Sequence, residues 1–305
     1  MRPTWHFVAA DDLRWLLQLT APRVHQASGY QYRQLGIDRE VTQRSRAAIE
    51  KALRGGNALK REELAARLAE AGIEGTALRL GYLIIDAELE GLICSGPRRG
   101  KRQTYALLEE RLPPARPRTR DEGLAELARR YVEGHGPAQV ADLSWWSGLT
   151  VADSRRALEA ASPPLRRETV GERAFWVSPS APTVRLDSPV VHLLPNYDEL
   201  LIAFRDRTDA ADPALPPAAR VAEVVLAHIV VRDGLVVGGY RRREEGGLTT
   251  ISVDPLIEFD HVILAGIEAA AARFAAFLGR EVEIAVLSSA TPSGRRRPEG
   301  LAGPR

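Results

Sequence analysis

The chain has 305 residues, 45% of them hydrophobic, and a formal net charge of +2 with a pI near 8.8. That length and composition suit two or three small domains with their own cores. No run approaches the ~18 apolar residues of a membrane span, no signal-peptide blocks open the chain, and a cytoplasmic location is the expectation. Cys94 is the only cysteine, which excludes an internal disulfide and any Cys-cluster zinc or iron–sulfur site made by this chain alone. It reads as a packing residue in a strand.

In chain order, RPTWHFV reads as a strand, and Asp11 then caps an amphipathic helix with Leu13, Leu16, Leu17 and Val24 on one face. Asp38 starts a second helix through Leu53, ended by Gly55 and Gly56. From Leu59 to Leu107 the order is helix, tight turn, helix, hairpin. Leu64, Leu68 and Ala71 share the first helical face, Gly72 and Gly75 make the turn, and a second apolar helix runs from about Thr76 to Glu90. Lys60 is a poor cap, so the first helix relies on packing. The hairpin LICSGPRRGKRQTYALL carries Arg98, Arg99, Lys101 and Arg102 at its tip.

LPPARPRTR, from Leu112 to Arg120, reads as a linker whose prolines stop the preceding strand. The same order then returns. Pro137 opens PAQVADLSWWS in the first helical turn, Gly148 makes the turn, Thr150 caps VADSRRALEAA with Asp153 three residues on, and LRRETVGERAFWV folds back around Gly171. Helix, turn, helix and arginine-bearing hairpin, twice over, read as tandem winged helices, a device for holding DNA.

Beyond Pro182 the chain becomes β-rich: a strand VVHLL, a helical or irregular NYDELLIAF, and AHIVV turned back into LVVGGY by Asp233 and Gly234. LTTISV adds a strand. Residues Ala211 to Pro217 read as a loop insertion. Asp260 caps a helix with Ile263, Ile267, Phe274 and Phe277 or Leu278 inward, Gly279 closes it, EVEIAVL returns as a strand, and the tail after Ser288 is expected to be disordered. The fold class is thus α+β: tandem winged helix-turn-helix modules followed by a β-rich, barrel-like C-terminal domain.

Position matters more than total charge for function. The 42 basic residues include only Lys51, Lys60 and Lys101 as lysines, so arginine abundance reflects composition as much as binding. Four positive charges at one hairpin tip suit a phosphate backbone, the plainer reading being a solvated turn. Arg155 and Arg156, in the recognition-helix position of the second repeat, would reach DNA or face a protein partner. Trp145 and Trp146 are adjacent, so on a helix only one sits fully in a core.

Chemical motifs are scarce. There is no G-x-S-x-G, H-E-x-x-H or dinucleotide fingerprint, and G-P-R-R-G-K-R has one residue too few between its glycines for a phosphate loop. The six histidines never fall at ligand spacing on one helix, so no metal site is assigned.

Four phrases, RPTWHFVAADDLRWLLQLTAPRV, GHGPAQVADLSWWSGLTVADSRRAL, LLPNYDELLIAFRDR and GLVVGGYRRR, resemble the winged helix AlkZ-like DNA glycosylase family over nearly the whole chain to about Leu287. The resemblance implies three tandem winged helices and a barrel-like domain gripping a duplex, with excision of alkylated, cationic purines as the activity. It implies domains at 1–37 (remnant of the first winged helix), 38–112 (second), 121–181 (third) and 182–288, with a linker at 113–120 and a tail at 289–305. Double-stranded DNA is the expected partner, with no cofactor, no membrane and a monomeric state.

The resemblance places the chemistry on a Gln-x-Gln motif upstream of RPTWHFV. This chain has no such motif, and Gln31-Tyr32-Arg33-Gln34 has the wrong spacing and place. The first module reads as truncated. Either an internal methionine has been taken as the initiator or the chain is a true short form, and the unpartnered Trp5, Phe7, Leu13 and Leu17 favour the first. His6, Asp198 and Glu199 remain weak catalytic candidates, each with a structural role as the plainer reading. A DNA-binding or regulatory protein without chemistry is the alternative function.

Overall fold

The computed structural model describes residues 6–180, 189–211, 215 and 228–287. It forms two compact units that divide between Ala181 and Pro182.

The first unit opens with α1 (Ala10–Gln34). His6–Ala9 ahead of it are not a strand, and the rest of the expected strand lies outside the described residues. The N-cap is Ala9, without a side-chain bond, while Asp11 sits in the first turn, where its charge suits the helix dipole. The buried face carries Trp15, Leu19 and Val24, whereas Leu13, Leu16 and Leu17 are only half-buried. At ~1.5 Å per residue, this helix reaches past two cores. Trp15 and Leu19 belong to one, and Tyr32 and Leu35 pack on the other.

The second of those cores belongs to α2 (Arg39–Leu53), α3 (Arg61–Glu70), α4 (Ala77–Leu89), β1 (Ile93–Ser95) and β2 (Tyr105–Leu107). Asp38 caps α2 through the Val41 N–H, and Thr76 caps α4 through that of Arg79. Lys60 has no acceptor to offer α3. The Glu63 carboxylate instead receives the Lys60 N–H at 2.6 Å, one half of a capping box. Ala71 is not on the buried face of α3 but is its exposed C-cap, because the helix has already ended at Glu70. Ile49, Leu53, Leu64, Leu83 and Ile93 fill the core.

After a short helix α5 (Leu108–Arg111), the chain reaches α6 (Arg120–His135), capped by Thr119 and Glu122 in a reciprocal box. Then follow α7 (Val140–Ser147), α8 (Val151–Ala160), β3 (Arg166–Val170) and β4 (Arg173–Val177). Pro137 lies ahead of α7 rather than in its first turn, because Ala138 is held in a bridge to Trp176 and Gln139 is the N-cap. Gly148 takes φ 76°, and Thr150 caps α8 through the Asp153 N–H. Trp146 packs on the core while Trp145 is exposed.

Both groups of elements therefore share one order: helix, single-residue bridge, helix, helix, hairpin. Leu59 pairs with Tyr105 in the first, and Ala138 with Trp176 in the second.

The second unit is an open five-stranded sheet, β5 (Val191–Leu194), β6 (His228–Arg232), β7 (Leu235–Glu245), β8 (Leu248–Pro255) and β9 (Val282–Val286), in that spatial order. Among the described residues it is not a closed barrel: β5 and β9 are the edges. The first three pairings are antiparallel, but β8 and β9 run parallel, joined by α10 (His261–Leu278). Such a crossover lays a helix on one face and leaves the edges apart. Ile263, Ile267 and Ala271 of α10 pack on Val191, Val230, Val237, Ile251 and Val253. Leu201, from the short helix α9 (Glu199–Ile202), joins Ile229, Val231 and Val236 on the other face.

Phe277 faces solvent and Leu278 is half-buried. α10 has the length and mean hydropathy, 1.5, of a membrane span, contrary to the expectation that no such run exists. Its sheet-facing stripe and the exposed Glu268 and Arg273 make it the covering helix of a sheet.

Candidate nucleic-acid interface

The hairpin tip of the first repeat is a fixed turn. Arg99 and Arg102 exchange backbone hydrogen bonds of 3.0 and 3.1 Å around Gly100, whose φ of 61° favours glycine. The Thr104 hydroxyl donates to the Pro97 carbonyl at 2.6 Å and holds the neck.

The four charges there are not equivalent. Arg98 and Lys101 are exposed, with no ion pair among the described residues. Arg99 instead lies along α3: its guanidinium donates to both Glu63 oxygens, at 2.9 and 3.0 Å, and to the Ala58 carbonyl. Glu63 is held below the usual carboxylate range by the Lys60 N–H first and then by Arg99. Arg99 thus braces the hairpin, and Arg102, 3.6 Å from Glu62, is partly compensated.

In the second repeat, Arg155 is exposed on α8 and Arg156 is paired with Asp121 at 2.6 Å. All five residues of β3 are exposed, which puts Arg166 and Arg167 on a ribbon open on both sides. Sequence reasoning passes over these two, although RRETV has no apolar residue before Val170 to give it an inner face.

An open groove of about 620 Å³ lies between α3 and α4, with Arg61 and Arg79 in its lining. Both are braces. Arg61 donates to the Ala77 carbonyl at 2.6 Å, and Arg79 to that of Leu35 at 3.0 Å.

The weak catalytic candidates fall in different units. His6 is exposed ahead of α1, whereas Asp198 and Glu199 belong to the other unit. Asp198 caps α9 by accepting the Leu200 N–H at 3.0 Å, and Glu199 is the first residue of that helix.

A polar cluster that the sequence did not announce joins α1, α2 and α4. Arg46 donates to Asp86 through Nε at 2.7 Å and Nη2 at 2.8 Å, and its Nη1 is 3.2 Å from Glu90. His25 Nε2 is 3.1 Å from Glu90, and its Nδ1 is 3.2 Å from the Tyr32 hydroxyl. Ligand atoms of His25, Asp86 and Glu90 lie within 4.8 Å of one another. The guanidinium already fills the place a cation would take, so the donor set does not fit a metal.

Burial, with the Asp86 charge second, pushes the Tyr32 hydroxyl up to about 12. A phenol whose pKa is raised on folding favours the native state below its ordinary value near 10, and that advantage is lost as pH rises through the folded value. Thermal midpoints measured against pH are expected to fall between about pH 10 and 12, and Tyr32→Phe to flatten that fall. An unchanged slope in the variant would place the titration elsewhere.

Three comparisons bear on this geometry. The sequence matches the family described as DNA glycosylase AlkZ-like over residues 1–277. It is 24% identical to the interstrand DNA cross-link repair glycosylase of Streptomyces sahachiroi, covering 78% of this chain and 68% of that protein. The solved structure of Streptomyces sahachiroi DNA glycosylase AlkZ superposes with a TM-score of 0.74 at 19% identity, over 94% of this chain and 80% of that one. With a match spanning both units, the chain belongs to the AlkZ-like DNA glycosylase family.

Proposed function

We propose that this chain holds duplex DNA in the repair of alkylated bases, with α2–β2 and α6–β4 as winged helices within 38–112 and 121–181. The observation that carries this is the twice-repeated order, closed each time by a bridge to the last strand and presenting exposed arginines, in a member of a DNA glycosylase family. Arg98 and Lys101 contact phosphates, helped by Arg102, and Arg155, Arg166 and Arg167 do so from the second repeat. Arg99 and Arg156 hold the elements that present them.

The chemistry asks little of the protein. N-alkylation turns a purine into a cationic leaving group, so a side chain need only shelter an oxocarbenium-like sugar and orient a water. His6, Asp198 and Glu199 stay the weak candidates for that role. A second reading is DNA binding without base release.

Affinity for a random duplex, followed by fluorescence anisotropy, is expected to fall steeply with salt. Replacing Arg98, Lys101 and Arg102 with alanine should reduce the log–log slope by about 2–3, since each phosphate neutralised by a cation adds near 0.9 to it. Binding insensitive to salt would refute the interface. Release of methylated purine from an alkylated duplex separates the two readings: product supports a glycosylase, and binding without product supports the second.

A further inference from the structure

Helix α1 belongs to neither repeat, yet it is tied to both. Among the described residues it is the one element with side chains in both cores of the first unit, Trp15 and Leu19 in one, Tyr32 and Leu35 in the other. The two grips lie about sixteen residues apart, or roughly 25 Å of helix. That is the length of about seven base pairs of duplex.

Each grip adds directional contacts to apolar packing. At the first, the Trp15 indole is 4% exposed, with the guanidinium of Arg118, from the linker, 5.4 Å from a ring centre and that of Arg130, from α6, at 5.7 Å. The Trp15 Nε1–H donates to one Asp12 oxygen at 3.0 Å, and the other accepts from Arg130. A Cβ added at Gly123 of α6 would stand 3.1 Å from Leu19 Cδ1, so the two helices approach closely. At the second, Tyr32 meets Tyr82 of α4 edge to face at 5.7 Å, and Arg79 donates to the Leu35 carbonyl at 3.0 Å. Cation–π contacts and charged hydrogen bonds depend on angle as well as distance, so they fix orientation where apolar packing alone would allow sliding.

We infer that α1 is a strut that holds the two winged helices at one spacing and angle on a single duplex, and that Asp12, Trp15, Arg118 and Arg130 are positioning residues that lock it without touching DNA. The inference rests on the DNA-holding reading above. The linker between Arg111 and Arg120, stiffened by Pro113, Pro114 and Pro117, limits reach but does not set an angle. Once one module is bound, a locked strut delivers the other without the orientational freedom that a tether would have to lose.

The test has two readouts on the full chain. Spin labels at Gln103→Cys and Thr169→Cys, exposed positions on the two hairpins, report the distance between the modules in a Cys94→Ser background. Anisotropy on the unlabelled chain gives Kd for a loop-closed duplex of about 8 base pairs, which one module covers, and for one of about 24, which both can reach. The wild type is expected to show one narrow distance. Asp12→Ala with Trp15→Leu should broaden it, weaken binding of the longer duplex about tenfold and leave the shorter unchanged, because a loosened partner loses effective concentration. Arg118→Ala should do the same to a smaller extent, and Asp12→Glu should behave as the wild type. The extra registers on a longer duplex favour every variant equally and cancel in the comparison.

A distance that stays narrow in the double variant overturns the inference, as does a broadened one with the ratio of the two affinities unchanged. Equal weakening on both duplexes, in the double variant and in Arg118→Ala, marks these residues as merely structural and overturns it too. Each of those results leaves the DNA-holding reading intact. A wild type that binds neither duplex removes both.

Discussion

Arg46→Ala is expected to destabilise the first unit by about 3–5 kcal/mol, the range for removing one partner of a buried ion pair. Asp86 is 2% exposed, and the structure gives its carboxylate two charge-assisted bonds from Arg46. Without the guanidinium, that charge stays buried and poorly solvated, with Glu90 close by. The Asp86 interaction also holds the Arg46 pKa above its usual value, as expected for a tight pair. For a unit of this size the thermal midpoint should drop by roughly 10 °C. Arg46→Met with Asp86→Leu should recover most of the loss, because two apolar side chains leave no buried charge. A loss below about 1 kcal/mol, the level of an exposed pair such as Arg54–Glu50, would show that water solvates Asp86 after all.

The second large effect is expected at Gly266, where α10 lies against β5. A Cβ built there falls 2.5 Å from Val191 Cγ2 and 2.6 Å from Val191 Cβ. The second of these atoms is fixed to the backbone of a strand and has no rotamer by which to escape. Alanine would gain about 0.8–1.0 kcal/mol of helix propensity over glycine. Overpacking opposes that gain, and Gly266→Ala should destabilise by about 1–3 kcal/mol net in denaturant unfolding. Val191→Ala should also destabilise, by leaving space. The double variant should be somewhat more stable than the sum of the single losses predicts, since Val191→Ala removes the Cγ2 contact and leaves the Cβ one. Simple additivity would mean that the helix and strand are further apart than the structure has them.

What could be read in advance divides by range. Asp38, Thr150 and Asp260 announced their helices because a cap acts on an N–H within three residues, and Gly148 and Gly279 ended theirs because a left-handed C-cap is a local demand. The face of α1 was obscured for a tertiary reason. A helix serving two cores carries Trp15 and Leu19 for one and Tyr32 and Leu35 for the other, so its apolar residues obey no single stripe. The open sheet was also hidden, since the parallel β8–β9 pairing joins Thr249 to Val282 across α10.

The candidate interface was legible as a cluster but not as a division of labour. Arg99 finds Glu63, and Arg156 finds Asp121, across 36 and 35 positions, so which arginines remain available to a phosphate is decided only by the fold.

The single-residue bridges carry a consequence for the order of synthesis. Leu59 and Tyr105 exchange reciprocal hydrogen bonds of 3.0 and 2.8 Å, and Ala138 and Trp176 do so at 3.1 and 2.7 Å. Each joins the segment before the middle helix of its module to the last strand. A nascent chain can form its helices as they emerge, but neither sheet closes until its final strand has left the ribosome. Each module is therefore completed late, one after the other in chain order, and the arginines of each hairpin acquire their orientation only in that last step.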